Sequence, residues 1–330
     1  MKSVIVTVDT EGHIGKDPVK HLIFGKTKND ELCGIPLIMD LCDEVGAKAL
    51  FFVDIAEAWD YGEEKIADVL RYIKSRGHDV GVHIHPDHMI DRKRAFLSQY
   101  SYEEQFDIIE RCTNFYKTVL GESPKAFRAG KYGANRETLD ILAKLGYKAD
   151  FSEYFGYEKW CHIIPPVTDN RSVTLENGLI EFPVMSYENY CKGLFHRFDK
   201  LDINRSLFEH KYILNRIIAQ ESINVVTLFA HSFSLMRWRS NPDKPRLNRS
   251  EVFHLRKALR HVSESDKLVF VTLNELLSEQ YPIHYNDDLF VFQVTGVIAL
   301  YLYLQKAFRT VISWLQIWYR NRKNSGESII

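Results

Sequence analysis

Residues 81–86 read GVHIHP, which sets His83 and His85 two apart. Alternate residues of an extended chain point to the same side, so this pair can present two imidazoles to one ion. Zinc takes such nitrogens at about 2.0–2.1 Å, and its catalytic sites often use three protein ligands and keep a fourth position open. Asp9 or Glu11, in VTVDTEG (6–12), can supply the third ligand. Each signal also has a plainer explanation: an HxH pair can be a hydrogen-bonded surface pair, and Asp and Thr are common turn residues. Arg128 closes an apolar run in FRAGKYG (127–133), and a cation buried there needs an anion, for which Asp9 is the natural candidate. Gly130 and Gly133 let the backbone after Arg128 approach a ligand closely. Asp150 with Ser152 and then His231 close two further runs. His78 stands at the far end of its strand and reads as structural, and His88 falls in the following loop.

These residues need a frame that brings strand ends together. SVIVTVD (3–9) and KALFFVDI (48–55) have the β-branched and apolar content of buried strands. Further strands are predicted at 78–84, 125–129, 147–152, 179–185, 224–230 and 267–273. Helical periodicity and glycine stops place helices at 34–46, 63–76, 102–120, 136–146, 204–221 and 249–264. Strand–helix alternation implies a parallel sheet, and about eight strands suit a distorted (β/α)7–8 barrel, an α/β fold whose catalytic residues gather at the C-terminal rim. The alternation weakens between 155 and 200, a stretch rich in aromatics.

The chain divides into a barrel domain (1–284) and a C-terminal helical extension (285–330). With 330 residues, 45% apolar and 26% charged, it can bury a large core. A formal net charge of −1 gives no overall pull toward nucleic acid. Five cysteines without a CxxC pair point to reduced thiols. MKSVIVTVDTEG lacks the apolar length and cleavage site of a secretory signal, so a cytoplasmic location is expected.

Taken in chain order, VTVDTEG (6–12), GHDVGVHIHP (77–86), FRAGKYG (127–133), KADFS (148–152) and TLFAHSF (227–233) resemble the five motifs of the polysaccharide deacetylases, the NodB-homology group or carbohydrate esterase family 4. The resemblance spans about residues 3–280. Two departures, Thr10 between the two carboxylates and histidines two rather than four apart, look like a divergent DTE/HxHP branch associated with surface-polysaccharide or lipopolysaccharide biosynthesis. The resemblance implies a divalent metal, expected to be Zn2+, and hydrolysis of an N-acyl group, usually acetyl, from an amino sugar carried on a glycan, nucleotide or lipid. It implies Asp9 as base, Arg128 as its partner, His231 as proton donor to the leaving amine, and His83, His85 and Glu11 as metal ligands. Tyr132, through its backbone N–H, and Asp150 would face the substrate. The roles of Asp9 and Glu11 can be exchanged within this scheme. Aromatics between 154 and 198 (Tyr154, Phe155, Tyr157, Trp160, Tyr187, Tyr190, Phe195) are candidates for sugar-stacking walls or for core.

Two other readings are open: a non-haem Fe(II) enzyme, since two histidines and a carboxylate also suit that ion, and a carbohydrate-binding homologue without catalysis. The tail adds a question of its own. Residues 289–304 are nearly all apolar but short of a span, and 305–324 carry Lys306, Arg309, Arg320, Arg322 and Lys323 with no acid. The pattern suits a helix lying on an anionic membrane surface, making 289–323 a peripheral contact, or a helical pair packed on protein.

Overall fold

The computed structural model describes residues 1–13, 17–19, 23, 25–27, 29–157, 161, 170–203, 205–237, 245–282, 292–308 and 311. Strands β1 (Lys2–Thr10), β2 (Ala49–Asp54), β3 (Asp79–Ile84), β4 (Ala126–Ala129) and β5 (Ala149–Asp150) alternate with helices α1 (Ile35–Asp43), α2 (Glu63–Ser75), α3 (Tyr102–Leu120) and α4 (Arg136–Lys144). Then come β6 (Val173–Thr174), β7 (Ile180–Glu181), a hairpin of β8 (Ser186–Cys191) and β9 (Phe195–Lys200), α5 (Leu207–Ile218), β10 (Val225–His231), α6 (Arg249–Ser263), β11 (Leu268–Phe270) and β12 (Gln293–Thr295). The main sheet runs β10-β1-β2-β3-β4-β5-β7-β6, with β11 joined to β1. Every pairing in it is parallel except β6 with β7. This is the expected α/β barrel-type fold, curled but not closed by a continuous ladder.

The gap between β7 and β10 is bridged instead by single bonds. The Thr227 hydroxyl donates to the Pro183 carbonyl at 2.9 Å and accepts from the Met185 N–H at 2.8 Å. Ile203 N–H donates to Phe229 O at 2.9 Å. A proline at 183 has no N–H to offer a ladder, so a side-chain hydroxyl takes over there.

Side chains alternate along the strands as the pleat requires. Val4, Val6, Phe51, Val53, Val82 and Phe127 pack in the large cluster beneath the helices. Ile5, Leu50, Phe52, Ala126, Phe151 and Phe182 fill the interior. By the same alternation Thr7, Asp9, Asp54, His83 and Arg128 lie on the interior face, above that apolar plug.

Several boundaries differ from expectation. β1 continues through Thr10, so Asp9 is not its last residue. The eighth strand, expected at 267–273, is three residues that pair only with Lys2–Val4, because Thr272 caps a short helix, Leu273–Leu276. The 155–200 stretch holds the β8–β9 hairpin, which sequence periodicity did not reveal. In the tail, β12 pairs in parallel with β8, and 296–308 form a helix. Phe292, Val294, Ala299 and Leu302 are buried in the large cluster, and Tyr303 stacks on Phe195 with ring centroids 4.3 Å apart. Trp160 and most of the basic segment 309–323 lie outside the described residues. Among the described residues, no helix is long and apolar enough to cross a membrane.

Candidate active site

Arg128 is fully buried. Its guanidinium donates to Asp9 Oδ1 at 2.7 Å, Thr7 Oγ1 at 3.2 Å and the Phe151 carbonyl at 3.0 Å. Its flat face lies 4.4 Å from the Phe52 ring centroid. The predicted Arg128–Asp9 pair is therefore present, and it caps the apolar plug. Burial works against an ionised Asp9, but Arg128, and then His83 and His231, outweigh it and hold the carboxyl below its ordinary range.

His83 sits on β3 with Nδ1 2.8 Å from the Arg128 carbonyl oxygen. A carbonyl only accepts, so Nδ1 carries the proton and the Nε2 lone pair is free. That lone pair faces Glu11 Oε2 at 3.6 Å, and His85 Nε2 lies 2.8 Å from the same oxygen. Glu11, His83 and His85 thus place one ligand atom each within 4.8 Å of one another. Burial would raise the Glu11 carboxyl, yet the two imidazoles hold it well below its usual range. Burial opposes the His85 imidazolium, but Glu11 raises its pKa to about 9. Two imidazole nitrogens converging on one carboxylate oxygen attract a positive charge, whether a proton or an ion. The donor set, two nitrogens and a carboxylate with the His83 tautomer fixed by a backbone carbonyl, fits a divalent metal. The close approach of β4 is built in: a Cβ on Gly130 would meet the Ile84 carbonyl at 2.6 Å and the His85 ring at 2.8 Å.

His231 is the cross-strand partner of Asp9 and its Nε2 lies 3.8 Å from Glu11 Oε1. Its ring stacks on Phe233 with centroids 4.7 Å apart. Burial, then Lys200, lowers its pKa, so the ring rests neutral near pH 7. Tyr132 and its neighbour Lys131 both have positive φ, 59° and 53°, a conformation that costs of order 1–3 kcal/mol per residue and recurs at functional sites. The Tyr132 hydroxyl accepts from Lys200 Nζ at 2.8 Å, and its ring packs edge-on against Tyr154 and Tyr157.

Not every expected residue reaches this group. Asp150 is fully buried; its Oδ1 takes the Ser152 hydroxyl at 2.8 Å, and Glu181 is its register partner. Ser152 in turn accepts the Ala129 N–H at 2.8 Å. Asp150 therefore braces β4 rather than facing a substrate, because its oxygens are spent on the framework. Among the aromatics, Tyr187 is core and bonds Glu209, whereas Tyr157 and Tyr190 are exposed. His78 is structural as expected: Nδ1 accepts the Ala49 N–H at 3.0 Å, and burial pushes its pKa to about 4.

Sequence reasoning passed over Lys200, Asp54 and Glu57. Lys200 lies 3.5 Å from the Phe229 ring centroid, and burial, opposed by Asp202 and Asp9, brings its pKa to about 8. It sits on the hairpin whose strands were not foreseen. Asp54 closes β2, and Asp9, His83 and Arg128 each stand one residue before the ends of theirs, so the same rule would have found it. Its Oδ1 accepts the N–H of Ala56 at 3.1 Å and of His85 at 3.2 Å, while Glu57 Oε1 accepts the Gly12 N–H at 2.7 Å. Burial, and then Asp54, raises Glu57 well above the usual carboxylate range.

The chain is a barrel-type α/β fold with a carboxylate and two histidines at its rim, and comparison finds likenesses to known proteins in part of the sequence and in the fold. Residues 22–149 match the family profile described as polysaccharide deacetylase. The fold is similar to that of a Mycobacterium smegmatis protein assigned as a polysaccharide deacetylase, at 17% identity and a TM-score of 0.54, over 87% of this chain and 94% of the other. Weaker likenesses include the family 4 carbohydrate esterase from Streptomyces lividans solved with acetate (13% identity, TM-score 0.44, 86% and 98% covered). Another is a family 4 pseudoenzyme from Bacillus anthracis (12% identity, TM-score 0.45, 89% and 69% covered). No curated protein sequence matches the chain. The profile match covers less than half of the chain, and the structural likeness is one of fold.

Proposed function

We propose that the chain is a metal-dependent hydrolase that removes an N-acyl group, acetyl in the simplest case, from an amino sugar used in surface-polysaccharide or lipopolysaccharide assembly. The observation that carries this reading is the fixed His83 tautomer, whose free Nε2 meets His85 and Glu11 beside the buried Asp9–Arg128 pair. Glu11, His83 and His85 would hold the ion. When bound, a divalent ion supplies Lewis-acid polarisation of the amide oxygen and lowers the pKa of water.

Asp9 takes the proton of the attacking water, and Arg128 keeps its carboxylate ionised and oriented until then. The backbone N–H of Tyr132 is the candidate donor to the developing oxyanion, held by the strained turn at 131–132. The departing amine needs a proton. His231, neutral at rest and adjacent to Asp9 across the β1–β10 pairing, would take up the proton that Asp9 has removed from the water and deliver it to the amine. Lys200, bonded to the Tyr132 hydroxyl, and Tyr157, packed on the same ring, would be the contacts to the sugar. The same three ligands would also hold Fe(II), but a base paired with arginine and a neighbouring imidazole are the equipment of amide hydrolysis.

Exposed Val297, Leu304 and Phe308 on the 296–308 helix support a peripheral membrane contact, which we place on the cytoplasmic leaflet as part of the same proposal. The function is tested by measuring acetate release from N-acetylglucosamine oligosaccharides and an N-acetylated nucleotide sugar, with Zn2+ and after chelation. Acetate that appears only with the ion supports the reading. A protein that binds these sugars without releasing acetate supports the carbohydrate-binding alternative.

A further inference from the structure

We infer that Asp54, Glu57 and His88 form a second divalent-cation site, distinct from the Glu11–His83–His85 centre. One ligand atom from each of the three lies within 4.8 Å of the others. Asp54 has no exposed surface and Glu57 is 2% exposed, yet Asp54 Oδ2 and Glu57 Oε2 have no hydrogen-bond partner. The other oxygen of each is occupied by the backbone N–H groups of His85 and Gly12. Two carboxylates are thereby anchored by one oxygen and present the second to the same small space. Leaving such buried groups unpaired carries their full desolvation penalty, larger when they are charged.

The third member explains the direction in which they point. His88 Nδ1 is hydrogen-bonded to Asp60, whose carboxylate can only accept, so Nδ1 carries the proton. Arg92 also approaches Nδ1, at 3.2 Å, but its main partner is the other oxygen of Asp60. Nε2 is then a bare lone pair, and it faces Asp54 Oδ2 at 3.9 Å. That separation is too long for a hydrogen bond of about 2.7–3.2 Å. It suits two donors on one ion, which at about 2.0–2.2 Å from the metal lie roughly 3–4 Å apart. The carboxylate–imidazole arrangement, with Asp60 behind His88, is the one that orients metal-bound histidines. Two oxygens and one nitrogen favour Mn2+, Fe2+ or Zn2+ over a soft ion.

The alternative occupant is a proton shared by Asp54 and Glu57, and counting ions separates the two. Full-length protein is stripped with chelator, reloaded with Mn2+ or Zn2+, desalted and assayed for metal by mass spectrometry. Wild type is expected to hold two ions per chain. His88→Ala with Glu57→Gln should hold one, as should His83→Ala with His85→Ala, each with an unchanged circular-dichroism spectrum. If the buried Glu57→Gln change disturbs folding, the single His88→Ala variant is used, with the expected loss of one ion or at least a tenfold weaker second binding step. One ion in wild type, or an unchanged count and affinity in the His88 variant, would overturn the inference. An unchanged count in the His83/His85 variant would instead sink the first site and leave the second standing.

Discussion

Arg128 holds a full charge with no exposed surface, and three acceptors and an aromatic face make that tolerable. Breaking such a pair from one side leaves the other charge stranded. Arg128→Met is expected to lose about 3–5 kcal/mol of stability by denaturant melt, while Arg128→Met with Asp9→Asn recovers part of that loss. Asp9→Asn alone should keep metal and abolish acetate release. A metal-free Asp9→Asn together with a Glu11→Gln that keeps metal and is merely slow would exchange their roles. Lys200 gives a test in pH. Its folded pKa, about 8, lies below the unfolded value near 10.5, so the folded state releases a proton first. The cost of its charge is present below pH 8 and fades as pH rises toward 10.5. Lys200→Met should therefore gain stability, on the order of 1 kcal/mol, over wild type at pH 7, and the gap should narrow at pH 10. Five of the residues that meet here, Asp9, Glu11, His83, His85 and Arg128, were legible because each lies within one residue of a strand end. Lys200 was not, since a lysine in an unrecognised hairpin carries no spacing signal.

At the scale of elements, the centre depends on how closely β4 can lie against the end of β3. Gly130→Ala pushes a methyl into the Ile84 carbonyl and the His85 ring, both closer than 3.0 Å. We expect metal affinity to fall by more than tenfold while the melting temperature drops only modestly. Equal affinity by calorimetry would mean that His85 does not need that packing. Helix α3 was readable to the residue, because Ser101 and Glu104 form a capping box and Gly121 ends it in a left-handed turn. β5 and β7 shrink to two residues each because little of their expected length finds a partner in register. The β8–β9 hairpin escaped because SYENYC and FHRFDK mix polar and aromatic residues on both faces, and only Lys192-Gly193 between them signals a turn.

For the whole molecule, the sequence divided the chain at about 285, yet residues beyond that point complete a three-stranded sheet and put four side chains in the core. A chain ending at Tyr285 should lose several kcal/mol of stability, since each buried apolar side chain contributes about 1.5–3 kcal/mol. Truncation is therefore a poor probe of membrane contact. Replacing Arg320, Arg322 and Lys323 by Gln in the full chain is the cleaner one. Flotation with anionic vesicles at low salt should weaken in that variant, and equal flotation would remove the membrane role of the tail. The pattern alone could not tell a packed tail from an interfacial one, because an apolar stripe satisfies both.

The claim on which the rest depends is that Glu11, His83 and His85 hold a metal. Crystals grown with Zn2+ and measured on both sides of the zinc edge test it directly. The account predicts an anomalous peak about 2 Å from His83 Nε2, His85 Nε2 and a Glu11 oxygen. No peak there, in crystals that show zinc bound elsewhere, would contradict it.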